Sequence, residues 1–572
     1  MKKVNKLISL ALLFIFSLQL ASCSRSTPTS SSETTLTEVT DTVVTEKPQE
    51  ISEFTMFSTL FGLDSSSDGE IKKLIADKTG VLINESFITG TDWNFNTIFD
   101  DMLQLPDNNI PDMIYTYFDV HKFYESGRAV AWDQYLEKYP RLKELHTDEE
   151  WDKLRQEDGH IYWADFEDCY KEKDTSVTHT GDAFWIQVRV LEWAGYPKIE
   201  TVDEYFDLLE RFYEENPVLP DGTEVIPYAC SVDADPGKSA MYLEGYPDNE
   251  FAIVDTSDGD LKVIDYTTSD TSKNYFKKLS EEYGKGVLHA YSNGEFTAYR
   301  DDISSGRVLG FFDKYSAIAQ FTDSFGKPRI GEDGHKFYLS ELGYDYVPLA
   351  LVSQKGMSQQ YHSYNVMNAD GGLVVLDKCS DPDLVFAFFD ALLDQEIHDL
   401  RFWGIKDVDY LVDDNGLFYR TEEMRNNWSD DRYSAEHVCK YLGLPHWHGM
   451  RPDGINRMIS DEQPSEYKAT LPEPVVNCLE AYGADNMVEM LGSKICDPDP
   501  WYSLGTWVEN MDYTSPYFGI WTQINTIKED SFYSLITSSD FENDWVKFVA
   551  VYSELDIQSF FDAAQEEVEN SL

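Results

Sequence analysis

The chain is expected to fold as an α/β protein, and two patterns in its sequence predict this. Between residues 53 and 126, short apolar runs suited to buried strands alternate with segments whose apolar residues recur at helical spacing. That alternation implies a largely parallel sheet with helices on both faces. In addition, 42% apolar and 14% aromatic residues in a chain of 572 supply enough core for two or more packed domains.

Taken in order, the chain begins with Lys2, Lys3 and Lys6 ahead of an apolar run over residues 8–23. The run is too short to cross about 30 Å of hydrocarbon at about 1.5 Å per residue, so residues 1–22 read as a cleaved export signal. The segment Leu20-Ala21-Ser22-Cys23 resembles the lipobox of bacterial lipoproteins. That resemblance implies that Cys23 becomes the acylated N-terminus and holds the protein at the extracytoplasmic face of the cell membrane. No later run of 18 or more apolar residues appears. Residues 23–50 are Ser- and Thr-rich with few large apolar side chains, which is the composition of a flexible tether.

The folded part opens with a strand over 53–60. Asp68 then caps a helix that places Ile71, Leu74 and Ile75 on one face and stops at Gly80. A second strand over 81–88, a helix over 93–104, a buried strand over 112–117 and a short helix over 120–126 follow. Thr201-Val-Asp-Glu204 is a capping box that opens a helix ending near Glu215, before Asn216-Pro217. Residues 219–267 are rich in Asp, Gly and Pro and read as loops and short strands. A helix over 272–283 comes next, and Ser380-Asp-Pro-Asp starts another with Leu384, Phe388 and Leu392 in series.

Charge narrows the partners. Loss of the three leader lysines takes the formal charge from −58 to −61. Nucleic acid is excluded as a natural partner because phosphate contacts need Lys and Arg on the binding face. Uronic-acid polymers would approach against the long-range field, whereas a neutral ligand meets no such barrier. Solubility and mutual repulsion at a crowded surface also account for the charge. Cys169, Cys230, Cys379, Cys439, Cys478 and Cys496 show no CxxC spacing and are expected to be buried thiols rather than a zinc module.

Chemistry-bearing motifs are missing: there is no GxSxG elbow, HExxH helix or P-loop, and no cofactor is expected. A glycosidase would need two carboxylates about 5 to 9.5 Å apart, and among 104 acids no pair stands out. The chain is therefore expected not to be an enzyme.

A family resemblance runs through the chain on the series Lys78-Thr-Gly-Val, Pro111-Asp-Met-Ile, Ser126-Gly-Arg-Ala-Val, Trp132-Asp-Gln-Tyr-Leu-Glu-Lys-Tyr-Pro and Asp158-Gly-His-Ile-Tyr. It continues through Phe184 to Tyr205, Ser305-Gly-Arg-Val-Leu-Gly-Phe-Phe-Asp-Lys-Tyr and the helices from Leu535 to Glu569. In that order and spacing it resembles the extracellular solute-binding proteins (family 1) of sugar ABC importers, closest to the oligosaccharide branch. The resemblance implies a two-lobed periplasmic-binding-protein-like (type II) fold with an interlobe cleft and hinge. It also implies capture of an oligosaccharide, ABC permease partners and a monomeric receptor. A surface glycan adhesin and a glycoside hydrolase remain the alternatives. The lobes are expected to interleave, with 51–180 and 345–400 in the first and 181–344 and 401–572 in the second.

Candidate ligand residues follow from position. Ligands of open parallel sheets lie beyond the carboxyl ends of strands, which selects Tyr117 and Asp119, although Asp119 could equally cap the next helix. From the resemblance, Trp163, Asp165 and Glu167 sit where the chain crosses between lobes, with Trp163 alternatively in the core. Phe312, Asp313 and Tyr315 follow a second-lobe strand, and Trp185 and Arg189 could face the cleft from that lobe's first helix. His446 and His448, at i and i+2, are a possible metal pair without a third ligand of fixed spacing, so no metal is assigned. Trp447 between them is a candidate for a binding loop.

Overall fold

A computed structural model describes residues 51–572, except 61–68, 88–94, 107–108, 168, 172–173, 180, 256–260, 315–318, 320, 323, 331–334, 363–366, 493–502, 510, 512 and 571–572. Cys23, the leader and the tether lie outside the described residues, as do Asp68, Tyr315 and Cys496.

The described chain is two-lobed, with one five-stranded sheet in each lobe. The first holds β1 (Ser52–Ser58), β2 (Val81–Phe87), β3 (Met113–Thr116) and β4 (Trp163–Ala164), and a two-residue strand β5 (Tyr170–Lys171) lies just beyond it. The second holds β6 (Asp182–Gln187), β7 (Ile226–Ser231), β8 (Leu288–Tyr291), β9 (Val308–Lys314) and β10 (Tyr346–Leu349). The chain then returns to the first sheet as β11 (Gly372–Val375), and β12 (His448–Gly449) pairs with β5.

The strand orders are β2-β1-β3-β11-β4 and β8-β7-β9-β6-β10. In each sheet the strand in second position, β1 or β7, lies parallel between two neighbours, and the fourth position runs antiparallel. That fourth strand is the one entering from the other lobe: β11 in the first, β6 in the second. It must enter from the cleft end, and this makes each sheet mixed rather than wholly parallel. Being covered on both faces, the strands are apolar throughout: β3, β6, β7, β10 and β11 are buried along their whole length.

Helices close both faces. Helix Glu70–Thr79 buries Ile71 and Ile75 and ends at Gly80, whose φ of 73° is the left-handed stop expected of it. Its N-cap is Gly69, with no side-chain cap. At Thr201 the hydroxyl accepts the Glu204 N–H at 3.4 Å, but the Glu204 carboxylate reaches past the cap to the Glu200 N–H at 3.0 Å. Helix Pro382–Leu392 is capped by Asp381 and buries Val385, Phe386, Phe388, Phe389 and Leu392.

The lobe boundaries differ from those expected. Tyr346–Leu349 pairs with β6 in the second sheet instead of returning to the first lobe. Phe402, Trp428, Tyr441, Leu444, Trp447 and Ile459 pack into the first core, whereas Tyr467, Val475, Leu479, Phe532, Trp545 and Phe548 pack into the second. The chain therefore crosses between lobes three times: after β4, after β10 and again near residue 460. Cys230, Cys379, Cys439 and Cys478 are free buried thiols, and Cys169 is buried as well. Among the described residues no helix is long and apolar enough to cross a membrane.

Candidate functional site

The three crossings meet around a cavity of about 300 Å³. The first contributes Tyr170, Ser176, Thr178, His179 and Gly181, the second Gln360, Tyr361 and His362, and the third Glu462; Tyr242 and Asp248 come from the second lobe. No lysine or arginine is among these described lining residues.

Each wall is set by local structure. The Tyr242 and Tyr361 rings stack at 4.6 Å and 19°, and the Tyr361 hydroxyl donates to the Leu351 carbonyl at 2.8 Å. These contacts fix a flat aromatic surface. His179 Nε2 lies 3.0 Å from the Asp182 carbonyl oxygen, so it carries the proton and donates. Burial pushes both His179 and His362 down to about 4, leaving both neutral at pH 7. His362 is 7% exposed, and its Nε2 has no hydrogen-bond partner among the described residues; the same is true of the Ser176 hydroxyl. Buried polar atoms of this kind normally find a partner.

Below the cavity the second lobe carries a charged layer. Lys238 pairs with Glu250, Lys314 lies 3.5 Å from Glu250, and Lys528 lies 3.4 Å from Asp235. Asp182, 2% exposed, is pushed well above the usual carboxylate range by burial and by the Asp248 charge, against the pull of Lys238 and Lys314. The cavity thus presents tyrosine faces, hydroxyls, neutral imidazoles and carboxylates. That is a set for grasping the C–H face and hydroxyl edge of an uncharged polar ring.

The expected site residues divide. Tyr117 is 43% exposed at the end of β3, beside the exposed Phe118, and its carbonyl accepts the Asn368 side-chain amide at 2.8 Å. Asp119 is half-buried at φ 61°; the following helix is capped at Val120 with no side-chain cap, so Asp119 does not cap it. Glu167 is half-buried beyond β4. The other described candidates sit in the interior. The Trp163 indole donates to the Ala369 carbonyl at 2.8 Å, joining the first two crossings inside the first core. Asp165 accepts the Tyr115 hydroxyl at 2.8 Å and the Phe166 N–H at 2.8 Å, which spends it on the interior.

Trp185 is wholly buried with its indole on the Asp313 carbonyl at 2.8 Å, and Phe312 packs on Phe184 at 5.0 Å. Asp313 is 6% exposed and holds the Tyr299 hydroxyl at 3.0 Å. Arg189 lies over the Tyr344 ring at 4.0 Å. Trp447 is in the first core with the Lys171 ammonium 5.4 Å from its ring center. His446 and His448 face each other, with Nε2 atoms 3.2 Å apart, and His448 Nδ1 turns to Glu462. Among the described residues no group of three or more His, Cys, Asp or Glu is placed to hold a metal ion. Nothing in the sequence marks the cavity residues, because a lone tyrosine or histidine in a loop carries no spacing signal.

Comparison with known proteins adds the fold. No protein-family model matches the chain, and no curated protein does. Solved structures do match. An HMO binding ABC-transporter associated solute binding protein from Bifidobacterium longum infantis aligns with 91% of this chain and 99% of its own at 15% identity and TM-score 0.56. The S. pneumoniae substrate binding protein FusA in complex with kestose aligns over the same shares at 14% identity and TM-score 0.55. The alginate-binding protein AlgQ2 does so at 12% identity and TM-score 0.52. From Ile51 onward, the described chain has the two-lobed fold of solute-binding proteins.

Proposed function

We propose that the protein captures a carbohydrate, a neutral oligosaccharide, between its lobes and delivers it to an ABC importer, held at the membrane by a lipid on Cys23. The observation that carries this is the cavity at the meeting of the crossings, lined by stacked tyrosines, carboxylates and neutral histidines without a lysine or arginine. Stacked rings suit sugar C–H faces, and carboxylates accept sugar hydroxyls. An anionic sugar would need cations that this wall does not offer, and it would meet a chain of net charge −58. FusA holds kestose and the Bifidobacterium protein is described as HMO binding, which agrees with this reading. AlgQ2 is described as alginate-binding, and for the present chain an oligouronate is expected to fail.

The action follows from the three crossings. A ligand touching walls from both lobes contacts all of them only when the lobes are closed, so it shifts the population toward the closed form. The size of that shift is limited by the difference in affinity between the two forms. A permease that reads the closed form then receives loaded protein.

The test is thermal unfolding of the chain against a glycan library containing neutral and uronic oligosaccharides. A neutral oligosaccharide at 100 times its Kd is expected to stabilise the protein by about 2.7 kcal/mol and to be recovered intact. Cleavage products would show a hydrolase, and preference for long insoluble glycan an adhesin.

A further inference from the structure

Outside the cavity wall, His437 stands between two carboxylates in the first lobe. It is the last residue of helix Asp431–His437 and is 7% exposed. Its Nε2 lies 2.9 Å from Asp409 Oδ2 and 3.1 Å from Oδ1, and its Nδ1 lies 3.2 Å from Glu70 Oε2. Asp409, 2% exposed, belongs to the loop after helix Gln395–Phe402, whereas Glu70 opens helix Glu70–Thr79 near the start of the described chain. Three distant stretches of sequence therefore meet at one imidazole.

The Asp409 loop is built tightly. Gly404, at φ 91°, comes so close that a Cβ there would sit 2.5 Å from Asp409 Oδ2. The Ile405 N–H donates to that same oxygen at 2.7 Å, and the Tyr433 hydroxyl donates to Oδ1 at 2.8 Å. Burial and the bond to Asp409 push Tyr433 above the usual tyrosine range, so its hydroxyl keeps the proton. Burial by itself would push the Asp409 carboxyl up, but the bonds from His437, Ile405 and Tyr433 together outweigh it and hold the group below the usual carboxylate range. Asp409 is thus an anion with both oxygens accepting, and His437 Nε2 donates to it. Nδ1 is left facing the exposed Glu70 carboxylate. A bare Nδ1 would set its lone pair against that anion, whereas a protonated Nδ1 attracts it.

We propose that His437 is an imidazolium clamp: with both ring nitrogens protonated it ties the start of the first helix to the Asp409 loop, and it lets go of Glu70 when an alkaline medium removes one proton.

The surrounding charges favour the protonated ring. The bond to Asp409 raises His437 above the usual histidine range, burial works against that, and the negative charges of Asp409 and Glu70 add to the rise. On the histidine's own helix stand Tyr433, its ring 4.6 Å away, and the exposed Arg432–Glu436 pair. Arg420 donates to the Asp409 backbone carbonyl at 3.2 Å, which leaves the carboxylate to His437.

Histidine-selective 15N NMR of the full chain across pH tests this, at low salt because Glu70 is exposed. The signal is identified by its loss in H437Q. His437 is expected to titrate above the ordinary histidine value of about 6.5, and its midpoint to fall by about one unit or more in D409N and by less in E70Q. Titration at or below the ordinary value would overturn the proposal, and so would a midpoint that E70Q leaves unmoved. Thermal unfolding gives a second reading that does not depend on the D409N variant folding. A histidine whose folded value is raised adds stability that is complete below about pH 6.5 and is lost as pH rises through the folded value. The Asp409 share, from a depressed value, is present above about pH 3.9 and is lost as pH falls through the folded value. The Tm gap between wild type and H437Q is therefore expected to be widest between about pH 4 and 6.5 and to narrow on both sides. A gap constant with pH would reduce His437 to packing and overturn the clamp. Neither measurement uses a sugar, so the carbohydrate reading and this proposal fail separately.

Discussion

Asp313 shows how a strand end in this fold becomes interior. Its carboxylate accepts the Tyr299 hydroxyl at 3.0 Å and the Lys314 N–H at 2.7 Å, yet burial outweighs both and pushes it up to about 6. At low pH both folded and unfolded chains carry the proton. Between the ordinary carboxylate value near 3.8 and about 6, only the folded chain holds it, so stability falls as pH rises. Above that window the ionised group costs about 3 kcal/mol. Asp313→Asn keeps an acceptor for the Lys314 N–H and removes the charge. The variant is expected to be more stable than wild type by up to about 3 kcal/mol at pH 7.5, with the gap closing toward pH 4, as read by calorimetry. A gap independent of pH would mean that the carboxylate is not the source.

At the scale of elements, the cleft end of β11 is a tight join between backbones. Gly372 has φ 130°, and a Cβ there would sit 2.4 Å from the backbone carbonyl carbon of Ala164 in β4. At Gly371 a Cβ would meet the Tyr117 carbonyl oxygen at 2.5 Å. Glycine is required at both positions because the returning strand must slide between β3 and β4 just where the crossings begin. Gly372→Ala is expected to lose about 3 kcal/mol or more in urea unfolding, from strain and overpacking together. Gly127→Ala is the control: φ is 71° but nothing lies within 4 Å, so only the backbone term of about 1 kcal/mol remains. Equal losses at both sites would rule out the close approach as the cause.

For the whole molecule, three crossings joining two similar sheets make relative lobe motion the natural response to a ligand. X-ray scattering is expected to show a smaller radius of gyration when the stabilising oligosaccharide is added. An unchanged profile at saturation would count against closure as the mechanism.

How far the sequence reached depended on the range of the interaction. The strands over 53–60 and 81–88, the Gly80 stop and the helix opened by Asp381 are near-neighbour effects of spacing and capping, and each reappears in the structure within a few residues. The site did not follow. Trp185, Phe312 and Trp447 are as able to fill a core as to line a cleft, and burial of their large apolar surface settled it. Tyr170, Tyr242, Tyr361 and Glu462 are up to 292 positions apart, and nothing local marks them as neighbours.

By itself the sequence determined the α/β class, the order of most elements and the acidic character that disfavours anionic partners. Tertiary structure decided where the chain changes lobes and which polar groups meet at the crossings. The physical reason is that helix caps and apolar periodicity act over a few residues, whereas a cavity wall is assembled by sheet pairing between segments hundreds of residues apart.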